Sequence, residues 1–303
     1  MGDPTPAAGP AVLAGGRHPA TAVPAPSGPP GPSGRAGAGR AVLAGCRRVV
    51  AAAGWLWFAI ALVAVWWFAS ADSTSAYFPP LRTIVHRLYE LWIVGDAKSQ
   101  LAPSLEHFAA GYGIAGAGGI ALGALLWGVR PLRESTSPLL YFCYVLPAPA
   151  LLPAVITLFG IDTTMKVAII SFAAVWPTLL NTVDGMRGVD PVKLDTARAL
   201  GLSPLRTAGS VVLPAALPQI VAGLRNSLQV AIILMVVSEM TASTSGIGYF
   251  ILTAQQSLAI TDMWTGIIVL AVLGSALNLV FVAAERFVLA WHYGARAAEG
   301  KRS

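Results

Sequence analysis

Few residues of this chain combine a reactive side chain with a spacing that could serve chemistry. Cys46 and Cys143 are far apart and the four histidines occur singly, so the sequence has neither a disulfide framework nor the spacing of a metal site. We expect each histidine, His107 included, to be solvated or interfacial. No G-x-x-x-x-G-K-[ST] phosphate loop occurs in the sequence. We therefore expect no catalytic residue, no metal and no cofactor in this chain.

Residues 111–116, which read Gly-Tyr-Gly-Ile-Ala-Gly, match the G-x-G-x-x-G fingerprint of dinucleotide-binding proteins. That motif requires a preceding strand and an acidic residue about 20 positions later, within a βαβ unit. Neither feature is present. Gly119 and Gly123 continue a run of small residues that favours close contact between helices. We interpret the motif as a packing surface.

Glu239 is the best candidate for a charge inside an apolar segment, and such charges often mark a transport pathway. A bare carboxylate disfavours an anionic solute, so a structural role, hydrogen-bonded near the bend into residues 241–249, is the alternative that we favour. This Ser/Thr/Gly-rich segment is a candidate re-entrant turn or outer gate. The candidate pathway or gate residues are Glu239, Met240, Gly246 and Gly248.

The composition places most of the chain in lipid. Of its 303 residues, 55% are hydrophobic and 11% are charged, whereas soluble domains carry about a quarter charged residues. The net charge of +6 comes from Lys and Arg between apolar blocks, which favours contact with lipid headgroups over nucleic acid. We predict an all-α integral membrane protein with about six transmembrane helices. The predicted spans are about 49–70, 108–127, 138–159, 165–180, 220–240 and 264–288.

Three regions follow from this pattern. Residues 1–40 form a Pro/Gly/Ala-rich tail that we expect to be disordered, residues 41–292 form the transmembrane domain, and residues 293–303 form a second tail. Ala69-Ser70-Ala71 resembles a signal-peptide cleavage site, but the apolar stretch before it is too long for a signal peptide. Residues 77–106 are predicted to form a pair of short interfacial helices.

Prolines interrupt the third and fourth predicted spans. They are Pro147, Pro149, Pro153 and Pro177. Proline frees backbone groups that, in lipid, need partners from neighbouring helices or a wet cavity. These prolines therefore indicate either a pathway or simple packing kinks.

The distribution of positive charge predicts that both termini lie in the cytoplasm. With that orientation, most Lys and Arg fall in cytoplasmic segments. The outer segments then hold only Arg82, Arg87, Lys98 and Lys166.

The segment between the fourth and fifth spans, residues 182–218, carries its own helix signals. Asp190 and Pro191 can begin a helix, and Gly201 can close it in the left-handed conformation. Ser203 and Pro204 begin a second helix, which Pro214 is predicted to end. We expect two short helices side by side beneath the bilayer.

The first of these helices has an apolar stripe of Leu194, Ala197 and Leu200. An exposed stripe indicates contact with a partner, but packing against the protein's own membrane helices explains it equally well. A helix-turn-helix DNA module is a third interpretation, which attachment to the membrane disfavours.

The same loop resembles the EAA signature of ABC-importer permeases. The sequence Asp195-Thr196-Ala197-x-x-x-Gly201 is followed by nine residues and then by Val211-x-Leu213-Pro214. Asp195, Thr196 and Val211 replace the Glu, Ala and Ile of the signature. Three further segments are similar to the nitrate, sulfonate and taurine branch: 159–162, 177–182, and 238–240 with 246–249.

This resemblance implies a permease subunit, not an enzyme, in the plasma membrane. The chain would form the pathway for a small solute, an organic or inorganic anion such as a sulfonate, taurine or nitrate. The loop from 190 to 214 would dock on a separate ATP-binding cassette ATPase, which binds the ATP. A second permease copy, giving a homodimer, and an external substrate-binding protein complete the implied assembly.

Two other function classes remain open. An ion-gradient-driven secondary carrier needs acidic groups in the middle of its spans and often has repeated halves, and neither is evident in the sequence. A membrane scaffold without a transport role would not need proline-broken spans or the loop signature.

Overall fold

The computed structural model of the chain describes residues 57–58 and 60–290. Almost all of the described residues, from Leu62 onward, belong to one compact unit. The predicted tails, 1–40 and 293–303, lie outside the described residues, as does the start of the predicted first span.

Regular secondary structure is helical throughout the described part of the chain. Four helices there are long and apolar enough to cross a membrane. They are α3 (Leu101–Gly128), α6 (Thr163–Arg187), α9 (Leu213–Thr241) and α11 (Ile260–Val288). The shorter helices are α1 (Ile60–Ala69), α2 (Leu81–Leu88), α4 (Arg130–Val145), α5 (Leu152–Phe159), α7 (Pro191–Ala199), α8 (Pro204–Thr207) and α10 (Ile247–Gln256). The predicted all-α membrane architecture is confirmed.

The third predicted span, 138–159, is not one straight helix. Helices α4 and α5, joined by a 3₁₀ turn at Ala148–Leu151, form a pair bent by 88°. Leu146, at the break, has an extended backbone with ψ 123°. The residue before a proline disfavours the helical region, and Pro147 has no N–H to continue the helical bonding. The proline cluster therefore explains the bend.

The predicted helix end at Pro214 is wrong. Helix α8 continues through a π-helical turn at Ala208–Val212 into α9, so that one helical segment runs from Pro204 to Thr241. In the π turn, Leu213 donates its N–H to the Ala208 carbonyl, five residues back. This shift in hydrogen-bond register lets the helix pass a proline that has no N–H of its own. Only the first of the two predicted short helices is therefore separate.

The predicted interfacial segment, 77–106, also differs in detail. Helix α2 continues into a π-helical turn at Tyr89–Val94, and residues 101–106 already belong to α3. The side chain of Arg87 bonds Asp262 through two of its nitrogens, at 2.7 and 3.2 Å. Helix α2 is thereby fixed to the start of α11.

Three helices, α3, α6 and α9, form the centre of the protein. Glycines of α3 face α6 so closely that an added Cβ at Gly111, Gly119 or Gly123 would lie less than 3 Å from a side chain of α6. Gly111 is the first glycine of the apparent dinucleotide fingerprint. The interpretation of that motif as a helix-packing surface is confirmed.

Helices α6 and α9 are joined by hydroxyl hydrogen bonds as well as by apolar contact. Thr178 Oγ1 and Ser227 Oγ lie 2.7 Å apart, and Ser227 also donates to the Ala174 carbonyl. The apolar core around this contact includes Ile169 and Met235, both fully buried. Polar contacts of this kind hold membrane helices together where the hydrophobic effect cannot.

Candidate functional site

The loop that follows α6 has the start and end signals that the sequence predicts. Asp190 Oδ1 accepts the Val192 N–H at 2.9 Å, with Pro191 in the first position of α7. Gly201 has φ +69°, the left-handed conformation that ends a helix. Ser203 Oγ accepts the Arg206 N–H at 3.4 Å and starts α8. These helix signals are confirmed.

The predicted apolar stripe was interpreted either as a contact with a partner or as packing against the protein's own helices, and its three residues differ in this respect. Ala197 is 2% exposed, and Leu194 packs on a buried cluster with Val212 and Ile220. Leu200, in contrast, is 73% exposed. Packing against the protein's own helices therefore explains Leu194 and Ala197 but not Leu200.

The apolar side chains that are exposed on the loop are not the same as those of the predicted stripe. Val192, Leu200 and Leu205 are all more than half exposed, and Leu205 reaches 86%. Leu205 also borders an apolar groove of about 710 Å³ that lies beside the end of α3. Solvated apolar side chains of this size on a short segment indicate a surface that contacts another molecule.

The other predicted coupling residues have defined places around α7. Asp195 is exposed and bonds Arg198 at 2.8 Å, and Thr196 is exposed with its hydroxyl bonded to the Val192 carbonyl. Val211 and Leu213 are half-buried and Pro214 is exposed at the start of α9. The π turn contacts α7, so the structure brings both halves of the signature together. Their contact with an ATPase stays a prediction.

Glu239 lies at the centre of a buried polar cluster, formed with Ser104, His107 and Gly248. Its Oε2 accepts the Ser104 hydroxyl at 2.9 Å and the Gly248 N–H at 3.0 Å. Its Oε1 lies 3.2 Å from His107 Nδ1. The Glu239 side chain is fully buried. These contacts support the structural interpretation of Glu239, and a role in the pathway or gate stays a prediction.

The two glycines predicted beside Glu239 are required by this cluster. Gly246 has φ +109°, and an added Cβ would collide with the Glu239 carboxylate. At Gly248 an added Cβ would lie 2.6 Å from the Val236 carbonyl and 2.8 Å from Glu239 Cβ. Met240, the fourth predicted residue, instead packs against an apolar cluster that contains Trp92.

Ser104 and His107 were not predicted as members of this site. The expectation that His107 is solvated or interfacial is wrong, because the residue is 3% exposed and faces a carboxylate. His86 is exposed, and His18 and His292 lie outside the described residues. A polar pair at spacing i, i+3 at the start of an apolar helix was the available signal.

The described residues contain no group of three or more His, Cys, Asp or Glu that could hold a metal ion.

Comparison with known proteins agrees with the loop and the helix arrangement. Residues 115–290 match the family described as the inner membrane component of binding-protein-dependent transport systems. A putative aliphatic sulfonates transport permease protein, SsuC of Bacillus subtilis, is 34% identical, over 72% of this chain and 79% of its own length. The taurine transport system permease protein TauC of Escherichia coli is 32% identical, over 76% of this chain and 86% of its own length.

A solved structure shares the fold. It shows an inward-facing conformation of the MetNI methionine ABC transporter, with a TM-score of 0.51 and 19% identity. The match covers 63% of this chain and 94% of that chain. The chain described here belongs to the family of inner membrane components of binding-protein-dependent transport systems, and it is a multi-pass membrane transport subunit.

Proposed function

We propose that this chain is the permease subunit of an ATP-driven importer. The loop from 190 to 214 transmits the conformational change of a separate ATPase to the membrane helices. The observation that carries the proposal is the surface of that loop. Leu194 and Ala197 hold α7 against the protein, while Val192, Leu200 and Leu205 remain exposed. A partner protein that covers these side chains removes apolar surface from water, which stabilises the contact.

The fixed attachment of the loop suits mechanical coupling. Ala197 of α7 is buried, α7 contacts the π turn, and that turn continues without a break into α9. A displacement of α7 by a partner would therefore be passed directly to a membrane-crossing helix. Membership of the transport family supports an ATP-binding cassette ATPase as this partner, because the chain itself has no phosphate loop.

The remaining parts of the assembly follow from the same family. A second copy of this chain would complete a homodimer, and an external binding protein would deliver the solute. Both termini would lie in the cytoplasm, according to the distribution of Lys and Arg. The similarity to permeases named for aliphatic sulfonates and for taurine supports a small sulfonate-like anion as the solute.

Capture of the ATPase tests the proposal. The tagged permease is co-expressed with the candidate ATPase, purified from membranes, and the bound ATPase is quantified. Leu200→Asp and Leu205→Asp each place a charge on the apolar surface, and we expect at least about a tenfold loss of bound ATPase. The matched control is Leu258→Asp, since Leu258 is 76% exposed and is expected on the opposite side of the membrane.

Equal capture by the two loop variants and by the control would show that this surface is not the ATPase contact. Membrane level and elution volume of each variant are measured beforehand, so that loss of the protein is not mistaken for loss of binding.

A further inference from the structure

A cavity with a volume of about 390 Å³ opens between α6, α9 and the bend that joins α4 to α5. Its size falls in the range of small-molecule sites, about 300–1,000 Å³. Pro149, in the bend, and Pro177, inside the continuous helix α6, both line it. The bend therefore shapes one wall of a cavity, as expected if the prolines mark a pathway.

Two amide side chains interrupt the otherwise mainly apolar lining of this cavity. Asn226 and Gln229 are exposed on α9, near the middle of a helix that is long and apolar enough to cross the membrane. An amide group facing hydrocarbon is costly, because lipid offers it no hydrogen-bond partner. This face of α9 is therefore turned toward water, solute or protein.

Trp176 adds a donor that has no partner. Its indole Nε1 is buried and makes no hydrogen bond within residues 57–58 and 60–290, and the residue lines the same cavity. Buried indole N–H groups are normally paired. Solvent does not reach Nε1 in this conformation, so an oxygen bound in the cavity becomes its acceptor once the indole ring turns toward it.

The cavity lining is uncharged, since none of its residues carries a carboxylate or a cationic group. Neutral donors such as indole and amide N–H groups can hold an oxyanion, and the absence of a fixed positive charge allows it to leave again. Glu239, which would repel an anion, is enclosed by its own hydrogen bonds.

We propose that Trp176, Asn226 and Gln229 form a transient binding site within the membrane for a small sulfonate-like oxyanion. The proposal rests on the proposed function and adds the place where the solute pauses during transport.

The test uses the purified permease–ATPase complex, with ¹⁵N-labelled tryptophan and nuclear magnetic resonance of the indole N–H groups. The probes are ethanesulfonate and, as a cation of similar size, ethylammonium. The Trp176 signal is assigned by its absence from Trp176→Phe. We expect ethanesulfonate to shift this signal and ethylammonium to leave it in place.

Two variants report on affinity. Trp176→Phe keeps the ring but removes the donor, and we expect ethanesulfonate to bind about tenfold more weakly, measured by equilibrium dialysis with ³⁵S-ethanesulfonate. Gln229→Glu places a negative charge in the cavity and should weaken binding by at least about tenfold. The control, Trp67→Phe, lies outside the cavity lining and should bind as the unchanged chain does.

A Trp176 signal that ignores ethanesulfonate, or that responds equally to ethylammonium, would overturn the proposal. So would equal affinities of Trp176→Phe and Trp67→Phe. If a second copy of the chain fills the cavity instead, Trp176→Phe and Gln229→Glu would lower the dimer fraction measured by light scattering, without an effect of ethanesulfonate. Failure of the proposed function would show separately, as an absence of ATPase from the purified complex.

Discussion

The hydroxyl of Ser104 connects Glu239 on α9 to the first turn of α10. It donates to the Glu239 carboxylate at 2.9 Å and accepts the Ile247 N–H at 2.8 Å. Because Gly248 also donates to Glu239, one buried carboxylate organises the chain between α9 and α10. The shape of the predicted outer gate thus depends on a residue near the start of α3.

Replacement of Glu239 should destabilise the protein. Glu239→Ala leaves the Ser104 hydroxyl and the Gly248 N–H without their buried acceptor, and we expect a loss of about 3 kcal/mol or more of stability. Glu239→Gln should cost less, since one amide oxygen remains as an acceptor. Thermal unfolding of the detergent-solubilised protein measures both effects.

The control for this prediction is Glu134→Gln. Glu134 bonds Arg130 in an exposed i, i+4 pair, and such pairs contribute little to stability. Equal unfolding temperatures for Glu239→Ala and Glu134→Gln would contradict the structural role of the cluster.

A methyl group at Gly248 should disturb the same cluster. In Gly248→Ala the new Cβ meets the Val236 carbonyl at 2.6 Å, a contact that the backbone must shift to relieve. In Gly113→Ala the new Cβ meets nothing within 4 Å, and alanine favours a helix over glycine by about 0.5–1 kcal/mol. We expect Gly248→Ala to lower the unfolding temperature and Gly113→Ala to leave it unchanged or raised. An unchanged unfolding temperature for Gly248→Ala together with a lowered one for Gly113→Ala would contradict the steric role of Gly248.

Local features of this fold were readable from the sequence. The cap at Asp190 and the left-handed Gly201 depend on neighbouring residues, so their signals lie within a short window. The end predicted at Pro214 was wrong because a π turn, which has no sequence signal of its own, carries the helix past the proline.

Contacts between distant segments were not readable in the same way. His107 lies 132 positions before Glu239, and nothing in either segment marks the other as its partner. The exposed amides Asn226 and Gln229 did carry a signal, because polar side chains in an apolar span are costly. Unlike Glu239, these two residues were not predicted as pathway candidates.

Cysteine labelling tests the predicted orientation. With Cys46 and Cys143 replaced, single cysteines are placed at Arg82, Ile161 and Arg206, which are all exposed. Ile161 is used because Asp162 caps α6. A membrane-impermeant maleimide added to intact cells should label the first two positions, and Arg206→Cys only after the membrane is opened. Labelling of Arg206→Cys in intact cells would reverse the topology.

Strain at Gly201 should weaken coupling. Gly201 has φ +69° and open space around its Cβ position, so a substitution acts on the backbone alone. Gly201→Val should cost about 1–2 kcal/mol at this position and move Leu200 and Leu205 relative to each other. Asparagine tolerates the left-handed conformation, so Gly201→Asn is the control. We expect solute-stimulated ATP hydrolysis to fall several-fold in the valine variant and to remain near the unchanged rate in the asparagine variant. Equal rates would contradict the role of this cap.

Uptake by the reconstituted transporter tests most directly whether ATP hydrolysis in a separate subunit drives this permease. Proteoliposomes that contain the permease and its ATPase, with binding protein outside and ATP in the compartment that faces the ATPase, are given ³⁵S-taurine while ionophores abolish all ion gradients. The predicted result is uptake that requires ATP and is lost in Leu205→Asp. A parallel assay omits the ionophores, the ATP and the ATPase. Uptake in that assay that stops when ionophores are added would identify an ion-driven carrier and contradict the account.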